Sequence, residues 1–130
     1  MQASGTFTVK LEPQPPAPSV AEAGLGRMTL DKRFSGDLEA HSLGEMISYR
    51  SAVDGSAGYV AMERVVGALH SRHGAFVLQH SGTMDRGAAT LLVSVVPDSG
   101  TDELAGLSGT LAIHIDAQGE HSYTFDYDLP

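Results

Sequence analysis

The sequence predicts an all-β domain, with about eight antiparallel strands closed into a barrel or pressed into a flattened sandwich. Three observations point there. Apolar and polar residues alternate at a period of two, clusters of Gly, Pro and Asp-Ser-Gly break the chain at short intervals, and no stretch holds a convincing helical period. Most connections are of hairpin length, which implies antiparallel pairing. Lys10 and Lys32 are the only lysines, so exposed strand edges would have little charge protection, and a closed barrel is favoured over an open sheet. At 130 residues the chain makes one domain, residues 1–130, long enough to bury a core without metal or disulfide.

The first strand is expected over residues 6–12, with Phe7, Val9 and Leu11 on one side and Thr6, Thr8 and Lys10 on the other. A Pro- and Ala-rich loop follows over 13–25. Its PQPPAP run lacks the donors for a hydrogen-bond ladder, and its Ala-rich end has room for at most a turn of helix. Met28, Leu30 and Phe34 alternate through a second strand. Residues 38–49 read as a third, with a bulge expected at Gly44. After a polar turn at 52–58, further strands are expected at 59–70, 75–84, 90–97, 108–116 and 121–129. In the last hairpin a three-residue loop, Ala117-Gln118-Gly119, pairs Ile113 with Tyr123 and Leu111 with Phe125. The opposite face then carries only polar residues, among them His114, Ser122, Thr124 and Asp126.

Composition removes several function classes. With no cysteine, disulfides, thiolate metal sites and cysteine nucleophiles are excluded, and a reducing compartment fits. The stretch MQASGTFTVKLEP carries no basic region followed by an apolar run, and no segment approaches the ~20 apolar residues of a membrane span. A cytoplasmic location is expected. The net charge of −8, unrelieved by any basic run, argues against nucleic acid and anionic membranes as partners.

The segment GALHSRHGAFVLQHSGTM holds His70, His73 and His80, half of the six histidines. Their spacing matches no zinc pattern, and no metal is expected. His70 and His73 fall beside or inside the turn SRHG, where polar residues are ordinary. His80 shares a strand face with Phe76 and Leu78. A loop of Arg72-His73, or of residues 71–74, sets Leu69 opposite Phe76, Val65 opposite His80 and Glu63 opposite Gly82. Glu63 and His80 are then diagonal neighbours on an apolar face. A three-residue loop would instead put them on opposite faces. The pair suits general acid–base chemistry and equally suits a structural hydrogen bond. It is the candidate catalytic pair.

Glu45 and Tyr49 share one face of the third strand and are candidate ligand-binding residues, with Phe76 and Leu78 as apolar lining. The alternating Asp37, Glu39 and His41 read as a solvated face. Residues 90–96 are apolar on both sides, through Leu91, Val93 and Val95 on one and Leu92 and Val96 on the other. An apolar outer face calls for a partner subunit or a covering loop, so a homo-oligomer is expected.

The runs GYVAMERVVGALHSRHGAFVLQHSGTM, VVPDSGTDELAGLSGTLAI and HSYTFDYDLP, with GTFTVKLEPQPP and RFSGDLEAHSLGEM, cover nearly the whole chain. Together they resemble a bacterial domain-of-unknown-function family with an allene oxide cyclase-like barrel. The spacing SGT-x-x-L-x-G-x-x-G over residues 99–109 is similar to that of the wider superfamily, which includes allene oxide cyclases and dirigent proteins. The resemblance implies an eight-stranded antiparallel barrel, often oligomeric. In that superfamily a hydrophobic substrate sits in the lumen, where cyclisation or coupling is steered without a cofactor. The nearer family implies no settled reaction, and Glu63, His80 and Glu45 fall within its shared motifs.

Three functions are consistent with these readings. The first is a barrel that binds a small apolar ligand in its lumen, with cofactor-free isomerisation or cyclisation as its candidate activity. The second is a non-enzymatic oligomeric scaffold. The third is hydrolysis or self-processing through acids such as Asp98, Asp116 or Asp126.

Overall fold

A computed structural model describes residues 1–130. Eight strands form a closed barrel in simple chain order: β1 (Gln2–Gln14), β2 (Gly26–Gly36), β3 (Leu38–Arg50), β4 (Ala57–Leu69), β5 (Arg72–Asp85), β6 (Ala88–Val95), β7 (Ser108–Ile115) and β8 (His121–Asp128). Each strand pairs antiparallel with the next, and β8 returns to β1 with Ala3 opposite Phe125. The only helical pieces are 3-10 segments at Pro18–Ala23 and Asp102–Leu104. The strand count and the absence of α-helix follow from the period-two pattern.

Alternation sorts side chains into lumen and surface. Along β4, Ala61, Glu63, Val65 and Leu69 point inward and are buried, while Val60, Met62, Arg64 and Val66 are exposed. The barrel is filled over one half only. There, Leu38, Leu69, Phe76, Leu104, Leu107 and Phe125 pack as one core, with Phe76 and Phe125 stacked at 5.9 Å between centroids. The β6–β7 connection seals this end. Leu104 and Leu107 plug it, and the Ser99 and Thr101 hydroxyls accept the backbone N–H groups of Val77 and Ala75 at 3.0 Å. The buried Tyr123 hydroxyl accepts Leu38 N–H and donates to Ser35 O, tying β8 to the β2–β3 turn.

Several local expectations are corrected. The β4–β5 turn is His70-Ser71, both at positive φ (46° and 66°), rather than Arg72-His73. Asp37 O takes the His70 N–H at 2.8 Å, and Tyr127 hydrogen-bonds the His70 ring, which holds this strained pair in place. Ala61, not Val65, therefore opposes His80, and Glu63 opposes Leu78. The turn moves by two residues and each residue's partner by four, an even number, so every side chain keeps its face. No bulge forms at Gly44, which pairs in register with Leu30 and Glu63. Glycine is required there because a Cβ would lie 2.1 Å from Met62 O. The first strand also runs on to Gln14, with Pro13 opposite Met28, so the connection begins later than expected. The final hairpin has the anticipated register, Ile113 opposite Tyr123 and Leu111 opposite Phe125.

Candidate functional site

Above the packed half, the lumen holds four buried polar side chains: Lys32, Ser42, Glu63 and His80. Each occupies an inward position on one of four successive strands, β2 to β5; alternation turns them into the lumen, and the register of the paired strands brings them into one layer. Glu63 sits at the centre. Its Oε1 accepts from Lys32 Nζ at 3.0 Å and from His80 Nε2 at 3.1 Å, and its Oε2 accepts from the Ser42 hydroxyl at 3.0 Å. Burial pushes the Glu63 carboxyl up, but the His80 hydrogen bond and the Lys32 charge outweigh this and hold it below its ordinary value.

An ionised Glu63 can only accept hydrogen bonds, so the proton facing it must be on His80 Nε2. Ammonium and carboxylate balance each other, and the neutral Nε2–H tautomer of His80 is the form that adds no further charge to the layer. The remaining ring nitrogen, Nδ1, is free to accept, and the Tyr59 hydroxyl lies 3.4 Å from it. Burial, and then the Glu63 charge, raise the Tyr59 phenol, which stays protonated as a donor. Lys32 Nζ also lies 4.9 Å from the centroid of Phe7 and 5.6 Å from that of Phe34. Such cation–π contacts favour the ammonium in an apolar setting.

The layer floors an open cup of about 190 Å³. Its wall is mostly apolar, from Val9, Leu11, Leu30, Met46, Leu91 and Ile113 among others, and Lys32, Tyr59, His80 and His121 bring polar groups to it. A second compartment of about 340 Å³ lies at the rim toward β3–β6 and shares Met46, Tyr59 and Leu91 with the cup. Together they form a pre-shaped mouth of the size and character that small-molecule sites have.

Glu63 and His80 lie side by side in the interior, as the strand faces predicted. His80 lines the cup and Glu63 sits behind it. The four lining candidates are placed elsewhere. Glu45 points outward and pairs with Arg27, while Tyr49, half exposed, lies outside the cup but lines the rim compartment. Their strand face also carries the exposed Leu43 and Ile47, so β3 is apolar on both sides and its pattern does not distinguish inside from outside. Phe76 and Leu78 face inward but belong to the packed half, below the cup. Lys32, Ser42 and Tyr59 were missed by sequence reasoning. The available signal was parity: Lys32 falls between the inward Leu30 and Phe34, Ser42 follows Leu38 and Ala40, and Tyr59 precedes Ala61 and Glu63.

The other ionisable candidates do not converge. His70 sits at the sealed end with Asp37 and Tyr127, His41 pairs with Asp31 outside, and His73 is exposed on β5. Asp98, Asp116 and Asp126 are each exposed. Asp116 accepts N–H groups of its own turn from Gln118 and Glu120, and Asp126 meets Gln2. No three His, Asp or Glu side chains gather as a metal site, and no helix is long and apolar enough to cross a membrane.

Residues 3–127 match the model of a family described as "Protein of unknown function (DUF3224)". A crystal structure of a protein of unknown function from that family, from Shewanella oneidensis MR-1, is 52% identical to this chain. The match covers 100% of this chain and 97% of that one, with a TM-score of 0.92. No curated protein matches the sequence.

Proposed function

The chain belongs to this family of unknown function, and from the geometry of its barrel we propose that it binds a small, largely apolar molecule in the open half of the lumen. The observation that carries the reading is the contrast between the two halves. One is packed solid with aromatic and aliphatic side chains, while the other is an open cup walled by apolar groups and floored by buried ones that can hydrogen-bond. Leaving apolar surface unfilled forfeits packing, and placing an ammonium, a carboxylate and an imidazole beneath it carries a desolvation penalty. A ligand that fills the cup recovers the first term, and its polar end makes use of the second. A cytoplasmic setting is part of this proposal and rests on the absence of cysteine.

Fluorescence titration with anilinonaphthalene sulfonate tests the reading. Saturable binding of one probe per chain is expected, and Leu91→Trp should abolish it. Leu91 lines both compartments and is 42% exposed, so a larger ring there blocks the mouth while leaving the packed half intact. Binding that is absent, or unchanged by this substitution, refutes occupancy of the cup.

A second reading is favoured by a separate observation. The outer face of β3 and β4 exposes Leu43, Ile47, Val60, Met62 and Val66 as an apolar strip interrupted by His41, Glu45 and Arg64. We propose that this strip supports self-association, which does not compete with a ligand inside. A strict monomer by light scattering at micromolar concentration removes that reading.

A further inference from the structure

The floor of the cup has more hydrogen-bonding capacity than the protein itself uses. Lys32 Nζ carries three N–H donors, and Glu63 Oε1 is its one oxygen partner. The nearby Phe7 and Phe34 rings supply no lone pair. His80 Nδ1 has only the long 3.4 Å contact with Tyr59, a group that a ligand could displace. An incompletely used ammonium, an accepting imidazole nitrogen and a phenol thus line one small apolar cup. Glu63 stays out of the cup and fixes the imidazole from behind.

We propose that the barrel catalyses proton shifts on small carbonyl compounds that carry an acidic C–H beside the carbonyl, with His80 as the base and Lys32 as donor to the carbonyl oxygen. The inference rests on the binding reading above and names its ligand class. His80 Nδ1 takes the proton, and the C–H electron pair moves into the carbonyl to give an enolate. Its oxygen is held by Lys32 Nζ–H and the Tyr59 hydroxyl, donors already in place where the charge develops. In a β,γ-unsaturated ketone the enolate is a dienolate. The imidazolium returns the same proton at the γ-carbon, which gives the conjugated isomer. One C–H bond breaks and one forms, so no oxidant, cofactor or water is consumed. Glu63 is a positioning residue: it fixes the His80 tautomer and balances the imidazolium during the step. The same ion pair opposes a Schiff-base route, because Lys32 meets Glu63 as an ammonium and has no free lone pair.

The test uses cyclohex-3-enone with the full chain, following its conversion to the conjugated ketone by ultraviolet absorbance and its binding by saturation-transfer NMR. The rate should exceed that of an equal concentration of free imidazole by at least ~100-fold, the low end of what a positioned base contributes. His80→Gln should remove that advantage while the ketone still binds. Lys32→Met should raise KM and lower kcat together. A further measurement needs only the unmodified protein. In deuterium oxide, a single base shielded from solvent carries substrate protium to the γ-carbon, so the product should retain it.

Ketone binding without acceleration, a rate indifferent to His80→Gln, or full solvent deuterium at the γ-carbon each overturns the proposal and leaves the binding reading intact. If the ketone fails to bind while anilinonaphthalene sulfonate is held in the cup, the proton-shift proposal alone falls. If neither occupies the cup, both fall.

Discussion

Removing one charge from the lumenal layer and removing both should have opposite consequences. The Lys32 and Glu63 side chains are 6% and 0% exposed and lie 3.0 Å apart. Lys32→Met leaves a buried carboxylate with only His80 and Ser42 as donors. Glu63→Gln leaves a buried ammonium with no counter-ion. Breaking a buried pair from one side costs about 3–5 kcal/mol, since the remaining charge is uncompensated. The double variant K32M/E63Q removes both charges. The amide it introduces on β4 keeps an oxygen that can accept from His80 or Ser42, and the thioether it introduces on β2 keeps a flexible apolar chain against Phe7 and Phe34. Replacing a buried ion pair by neutral groups of similar volume is often close to neutral, so a net loss under ~2 kcal/mol is expected.

The two single losses sum to roughly 6–10 kcal/mol, so the coupling energy should be at least ~4 kcal/mol, well above ordinary contact pairs. Urea unfolding of the four proteins, followed by circular dichroism, measures it. In thermal melts the singles should fall by roughly 10–25 °C and the double by under ~10 °C, at about 3–5 °C per kcal/mol for a chain of this size. Single losses that simply add in the double variant would refute the claim that this layer is one coupled unit.

Further tests separate the site from its frame. Because Glu63 titrates below its ordinary value in the folded state, the unfolded chain binds its proton first as pH falls. The carboxylate's contribution is therefore full above about pH 5 and is lost as pH drops through the folded value. In urea titrations run from pH 7 to pH 3, the stability gap between wild type and Glu63→Gln should narrow with acid; a gap that widens reverses the sign. Gly44→Ala should destabilise by more than ~3 kcal/mol, because its methyl would lie 2.1 Å from Met62 O and 2.9 Å from Glu63 Cβ. Gly119→Ala meets nothing within 4 Å and should lose only about 1 kcal/mol, from left-handed backbone strain at φ 82°. Chemical denaturation ranks the two, and equal losses contradict the steric argument. Phe76→Ala opens a cavity against Phe125 in the packed half and should cost about 3–5 kcal/mol. It should leave anilinonaphthalene sulfonate affinity within about twofold, which fluorescence titration checks.

What could be read from the sequence divides along a geometric line. Period-two alternation reports which side of a sheet a residue faces, and an even slip in register cannot change that. The β4–β5 turn is therefore two residues from its expected place, yet Glu63 and His80 still share the lumen. Alternation carries no information about height along the barrel axis. Phe76, Leu78 and His80 all face inward on β5, but the first two lie in the packed half and the third at the cup. Height depends on where the strands end and on which connection plugs the barrel, here residues 96–107, and no local pattern specifies either. Alternation also fails where both faces are apolar, as on β3, because hydrophobicity then no longer marks the inside. Lys32 is the converse case. Lysine is almost never buried without a partner, so composition places it outside, while its position between Leu30 and Phe34 places it within. Parity prevails because turning one residue outward would turn the whole strand, exposing Leu30 and Phe34 along with it. Glu63 on β4 is the carboxylate that makes the interior tolerable for that ammonium, and this partner is reached only once β2, β3 and β4 are aligned in space.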